Sequence, residues 1–299
     1  MIFADPLPPG SGHDTGFIDG VGGRRIFWQR WRPARSPRAT VVIVHGAGEH
    51  SERYHHVAAG LLSDRYAVYA LDHRGHGRSD GPRALIDRLD RAVADLDQLV
   101  VKARAEEGLQ PFMLGHSMGG TVAIRYAVLH QDRLAALVLS GPLASLEAAP
   151  APMRLAGRIL SAVAPSLPLV AIDATQVSRD PEVVRDYQAD PLVHHGRLPA
   201  RTVAELAAAV DRFPDAVAAI TIPTLILYGT ADRLCPPAGS TMLGERIGAS
   251  DRQVKAYPGL YHEILNEPER AAVLADIRAW LSERVPAAAE DAVAGSSTV

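Results

Sequence analysis

The residues that could do chemistry gather around one serine. Gly115-His116-Ser117-Met118-Gly119 fits the pattern G-x-S-x-G, after an apolar run at 112–114 and before a helix-forming stretch at 121–129. A strand–turn–helix setting of this kind exposes a serine oxygen on a sharp elbow, and small flanking residues let backbone segments pass close together. The pattern alone is weak, because a tight turn around an ordinary serine has the same letters. A serine hydroxyl also needs a base, and the base needs a carboxylate to orient it. On a strand–helix framework the chain order is serine, acid, histidine. Asp232 stands just past the run 224–228, and His262 follows the next run, 253–257. Asp251 and Glu263 compete for the acid's part, but one lies on the wrong side of a strand and the other adjoins the base. Acyl transfer further requires donors for a developing oxyanion. The N–H of Met118 supplies one, and Ala47, in His45-Gly46-Ala47-Gly48, the other.

The surrounding segments are patterned to carry these residues. A Gly-rich turn at 20–23 sits within a β-hairpin spanning 16–31. The β-branched run 40–44 suits a strand buried on both faces of a parallel sheet. A helix at 51–63, a strand at 66–71, an amphipathic helix at 87–106, and strands at 112–115 and 134–139 continue the alternation. The rhythm stops after the sixth strand and resumes at 222–228, with helices plausible at 151–163 and 199–210 between. The expected fold is therefore α/β: a mostly parallel central sheet flanked by helices, with a helical cap inserted after the sixth strand. Residues 16–142 and 215–285 form the core, 143–214 the cap, and 1–15 and 286–299 loose termini.

Composition excludes several classes. The 299 residues carry 31 basic and 34 acidic side chains, a net charge of −3, so no basic excess points to nucleic acid. The single cysteine, Cys235, forbids an intrachain disulfide framework. No cluster with zinc spacing occurs among the 12 histidines, so no metal and no cofactor is expected. Residues 1–10 lack the basic and apolar regions of a Sec-type signal peptide, and the charge-free stretch 159–172 is too short to span a bilayer. A cytoplasmic or peripheral membrane protein is the expectation.

Four runs together resemble the monoacylglycerol lipases, a lysophospholipase-like group of the α/β-hydrolases. They are His45-Gly-Ala-Gly-Glu-His-Ser-Glu-Arg-Tyr54, Asp72-His-Arg-Gly-His-Gly-Arg-Ser79, Gly115-His-Ser-Met-Gly-Gly120 and Tyr228-Gly-Thr-Ala-Asp-Arg-Leu234. The resemblance covers about residues 16–285, and the first run is its most specific part. It implies Ser117 as nucleophile, Asp232 and His262 as partners, and Ala47 and Met118 as oxyanion donors. It also implies a polar cluster of Glu49, His50 and Arg53 near the glycerol end of a substrate, or else a brace for the oxyanion loop. Tyr187 matches a cap position near the glycerol hydroxyls, and Cys235 a cysteine close to the triad. In the cap, Leu143, Ile159, Leu160, Val163, Leu167, Leu169 and Val170 could line an acyl tunnel or touch a bilayer. The implied reaction is hydrolysis of a monoacylglycerol or similar lipid ester to glycerol and fatty acid. Sibling alternatives are a lysophospholipase or short-chain carboxylesterase, and, from another class, a non-catalytic receptor on the same fold. The oligomeric state is not set by the sequence.

Overall fold

The computed structural model describes residues 5–145 and 160–285. Eight strands form one sheet in the order β1-β2-β4-β3-β5-β6-β9-β10. β1 (Gly12–Gly20) and β2 (Arg24–Arg32) are an antiparallel hairpin, and β2 joins β4 (Tyr66–Leu71) antiparallel. From β4 through β3 (Ala39–Val44), β5 (Phe112–His116), β6 (Ala136–Ser140) and β9 (Thr224–Gly229) to β10 (Arg252–Tyr257), every pairing is parallel. The continuous apolar runs are explained by burial on both faces. Along β3, Val42 and Val44 enter one hydrophobic cluster, while Val41 and Ile43 enter the other, as the period of two requires. Helices Leu89–Glu107 and Met118–His130 cover the first face. His55–Ser63 and Arg270–Ser282 cover the second.

Between β6 and β9 the chain leaves the sheet. It forms β7 (Pro168–Val170), the helix Pro181–Ala189, β8 (Leu198–Pro199), which pairs antiparallel with β7, and the helix Ala200–Val210. Asp180 caps the first of these helices by accepting the Glu182 N–H at 2.8 Å, with Pro181 opening it. The insertion is tied to the core beside the expected site. The His194 N–H donates to the Gly48 carbonyl at 2.7 Å, and the Glu263 N–H to that of Val177 at 2.8 Å. Thr202 Oγ1 donates to the Ala84 carbonyl and accepts the Ile86 N–H.

Several expectations need correction. Residues 12–15 belong to β1 rather than to a loose lead-in, because β1 pairs with β2 along its whole length. The helix expected at 121–129 begins at Met118, since glycines 119 and 120 are tolerated inside it by tight packing. Helices Pro181–Ala189 and Pro237–Arg246 and the β7–β8 pair were not expected. Ile159 and most of the helix expected at 151–163 lie outside the described residues, as do the first four residues and 286–299.

Candidate active site

Ser117 sits between β5 and the helix Met118–His130 with φ 55° and ψ −122°, a left-handed conformation that non-glycine residues rarely hold. The elbow persists because its surroundings leave no alternative. A Cβ at Gly119 would fall 2.0 Å from the Val44 carbonyl oxygen, so this helix start packs directly on the end of β3. Across from it, a Cβ at Gly46 would lie 3.1 Å from the Ser117 Cβ. The loop after β3 is therefore pressed against the nucleophile. Met118 opens the helix, and first-turn N–H groups have no partner within a helix. Ala47 and Met118 both line the cavity in front of Ser117.

Asp232 follows β9 and His262 follows β10, and both are buried. His262 Nδ1 and Asp232 Oδ2 are 2.8 Å apart. The other carboxylate oxygen, Oδ1, accepts the N–H groups of Leu234 and Cys235, each at 2.9 Å. Asp232 thus has one oxygen fixed by backbone and one reserved for the imidazole. Burial opposes the charged form of His262, but the charge and hydrogen bond of Asp232 outweigh it, and its pKa is raised. Cys235 Sγ lies 3.7 Å from Ser117 Oγ. Burial first, then the Asp232 charge, holds that thiol protonated. The competing acids are otherwise engaged: Asp251 pairs with Arg284, and Glu263 with Arg53.

The residues of the expected polar cluster take different partners. Glu49 Oε1 accepts the Gly46 N–H at 2.5 Å and the Tyr54 hydroxyl at 2.7 Å. Its Oε2 accepts from Arg53, which also makes two bonds to Glu263 at 2.7 and 2.8 Å. The Arg53 guanidinium lies 4.8 Å from the centroid of the Tyr187 ring. Burial would raise the Glu49 pKa, but Arg53 chiefly brings it down to about 2. The oxyanion loop, the histidine loop and the insertion are thus joined through one buried ion-paired network. His50 is turned away. Its Nε2 bonds Asp190 at 2.8 Å, and it lines a separate hollow of about 350 Å³. Below this layer His45, His73 and His76 form a buried imidazole group, with ring centroids 4.5 to 6.3 Å apart. Burial lowers the pKa of all three, that of His76 to about 3.

The cavity over Ser117 has a volume of about 430 Å³. Of the apolar residues singled out from sequence, Leu143 and Val170 line it. Leu160, Val163, Leu167 and Leu169 do not; Val163 is 76% exposed, because this part of the insertion faces outward. Val177, Leu198, Val203 and Leu206 line the cavity instead. Spacing at 203, 206 and 207 marks one face of a helix, but nothing in the sequence says which face covers the serine. Glu49, Tyr187 and Glu263 are among its polar lining residues. Among the described residues, no group of three or more His, Cys, Asp or Glu could hold a metal ion. No helix there is long and apolar enough to cross a membrane.

Sheet order, elbow and the acid and histidine loops define a serine hydrolase of the α/β-hydrolase fold. The family model described as "Serine aminopeptidase, S33" matches residues 35–269. The chain is 45% identical to the monoacylglycerol lipase of Mycolicibacterium smegmatis over 264 residues, 88% of this chain and 94% of that one. It is 38% identical to the monoglyceride lipase of Homo sapiens over 271 residues, 89% of each. The crystal structure of the Paleococcus ferrophilus monoacylglycerol lipase, 33% identical, matches with a TM-score of 0.78 over 85% of this chain and 98% of that chain. This chain belongs to the monoacylglycerol lipase family of the α/β-hydrolases.

Proposed function

We propose that this enzyme hydrolyses monoacylglycerols to glycerol and a fatty acid through an acyl-enzyme on Ser117. The observation that carries the reading is a largely apolar cavity lined by both Ser117, on its strained elbow, and His262, which is paired with Asp232. An acyl chain fits the wall of Leu143, Val170, Val177, Val203 and Leu206; the glycerol fits the end near Glu49 and Tyr187. His262 takes the Ser117 proton as the oxygen attacks the ester carbonyl. Asp232 holds the imidazole and stabilises its cation. The N–H groups of Ala47 and Met118 stabilise the oxyanion, each such donor being worth on the order of 3 kcal/mol. The ester bond breaks, and glycerol leaves with the proton from His262. Water then attacks the acyl-enzyme with His262 as base, releasing the acid. In this reading Glu49, Arg53 and Glu263 position the oxyanion loop rather than bind glycerol, and residues 143–214 act as the cap. The outward apolar side chains Val163 and Leu167 suit contact with a lipid surface.

The test is fatty-acid release from monooleoylglycerol, dioleoylglycerol and lysophosphatidylcholine, with Ser117→Ala as control. Release mainly from the monoacylglycerol, abolished in the variant, supports the proposal. Preference for the lysophospholipid keeps the mechanism and replaces the substrate.

A further inference from the structure

A second cleft lies away from Ser117, on the seam between the insertion and the core. It is about 470 Å³ in volume. Five arginines line it: Arg88 and Arg91 at the start of the helix Leu89–Glu107, Arg125 on Met118–His130, Arg201 on the insertion helix, and Arg212 just beyond that helix. Two acids, Asp90 and Glu205, also line it, so the lining carries three net positive charges (five minus two) in a chain whose net charge is −3. Just outside, Asp87 is shared between Arg91 and the buried Arg74.

The acids do not use up the arginines. Arg125 meets Asp90 through Nε at 3.0 Å, and Arg201 meets Glu205 through Nη2 at 2.6 Å. Each guanidinium has five N–H donors, so both retain donors for a further partner. Arg88 and Arg212 make no side-chain hydrogen bond or ion pair among the described residues, and both are exposed. The placement also runs against helix electrostatics. Arg88 is the N-cap and Arg91 lies in the first turn, where the dipole disfavours cations and an N-cap side chain should accept a hydrogen bond; Arg88 accepts none. The helix end itself is served by protein carboxylates, since Glu205 Oε2 accepts the Leu89 N–H at 2.9 Å and Asp90 stands in the first turn; what is left for an external anion is the pair of unpartnered guanidinium groups, Arg88 and Arg212. Guanidinium groups lining one cleft offer the positive charge and N–H donors that phosphate oxygens accept.

We propose that this cleft is a binding site for a phosphate group, distinct from the catalytic cavity. Its position gives it a reason to exist. On the insertion helix, Arg201, Glu205 and Ala208 face the cleft, while Val203, Leu206 and Ala207 face the catalytic cavity. A phosphate held between Arg88 on the core and Arg212 beside the insertion pins that helix against the core. The phosphate belongs either to a free phosphorylated compound or to an anionic lipid headgroup.

The test uses pyrophosphate titrated calorimetrically into the full chain at constant ionic strength in chloride, together with sedimentation on vesicles of phosphatidylcholine with and without phosphatidylglycerol. The variant is Arg88→Ala with Arg212→Ala, chosen because neither side chain leaves a carboxylate unpaired. Pyrophosphate should bind at one site per chain, and the double variant should weaken it at least tenfold with an unchanged thermal midpoint in its absence. Binding to phosphatidylglycerol vesicles, displaced by pyrophosphate and lost in the double variant, assigns the phosphate to lipid. Pyrophosphate binding without a vesicle preference assigns it to a free compound. Absence of both kinds of binding, or equal affinity in the double variant, overturns the proposal.

Discussion

Replacing Glu49 separates a brace from a glycerol-binding group. In Glu49→Ala the Gly46 N–H and the Tyr54 hydroxyl lose their buried acceptor, at about 1–3 kcal/mol each. Arg53 keeps its two bonds to Glu263, so breaking its pair with Glu49 should cost near the lower end of the ~3–5 kcal/mol typical of a broken buried pair. These losses share partners and do not add, so about 3–5 kcal/mol in all is the expectation. The catalytic effect comes from the loop. With Gly46 released, the adjoining Ala47 N–H is no longer held, and losing one oxyanion donor costs about 10²–10³ in kcat. Glu49→Gln keeps an oxygen for Gly46 and Tyr54 but turns an amide toward Arg53. It should lose about 1–3 kcal/mol of stability while keeping kcat within roughly tenfold, since the donor stays in place. Urea unfolding gives the stabilities. Steady-state rates are needed on monooleoylglycerol and on a p-nitrophenyl ester that has no glycerol. A brace lowers kcat on both esters. A kcat on the p-nitrophenyl ester within about threefold of the unsubstituted enzyme, with KM raised only for the glycerol ester, would refute the brace.

Four further outcomes are expected. In Asp232→Asn, Oδ1 stays with the Leu234 and Cys235 N–H groups, so the amide faces His262 Nδ1 and imposes the wrong tautomer; kcat should fall on the order of 10⁴-fold. Because Asp232 raises the His262 pKa, the acid limb of kcat/KM in the unsubstituted enzyme should lie above that of a free imidazole, ~6.5, and residual activity in the variant should titrate lower; an unmoved limb contradicts this. His76 is buried, with its pKa lowered to about 3, so folding favours its neutral form; that stability is complete above ~6.5 and is lost as pH falls from there toward 3. Replacing His76 by Gln should flatten the acid slope of unfolding free energy, and an unchanged slope counts against it. Gly119→Ala should yield no soluble folded enzyme, since its methyl would fall 2.0 Å from the Val44 oxygen; a folded, active variant would show that the elbow can shift.

The sheet was legible because the parallel strands from β4 through β9 are largely apolar runs, and doubly buried strands leave that mark. β10 was found although only Tyr257 of it is buried, because its sequence follows β9 at the usual spacing. Ser117, Asp232 and His262 could be named because each follows a strand end, where side chains converge above the sheet. Position alone singled out Asp232 as the candidate acid; Asp251 pairs with Arg284 and Glu263 with Arg53. The insertion was less legible. Among its described residues, buried and exposed apolar side chains share the same composition, so patterning does not separate the cavity face from the outer one. Val163 and Val170 look alike in sequence, yet only Val170 lines the cavity. The Glu49–Arg53–Glu263 network was half legible: Glu49 and Arg53 are four apart in one run, but Glu263 comes 210 positions after Arg53.

The account rests on an ester carbonyl being attacked by Ser117, and that covalent step can be observed. The enzyme is mixed with monooleoylglycerol, quenched in acid during turnover, digested and analysed by mass spectrometry. An oleoyl group on the peptide containing Ser117, absent in Ser117→Ala and decaying at the rate of fatty-acid release, is the predicted result. Steady release of fatty acid with Ser117 never acylated, or with the acyl group on another residue, would contradict it.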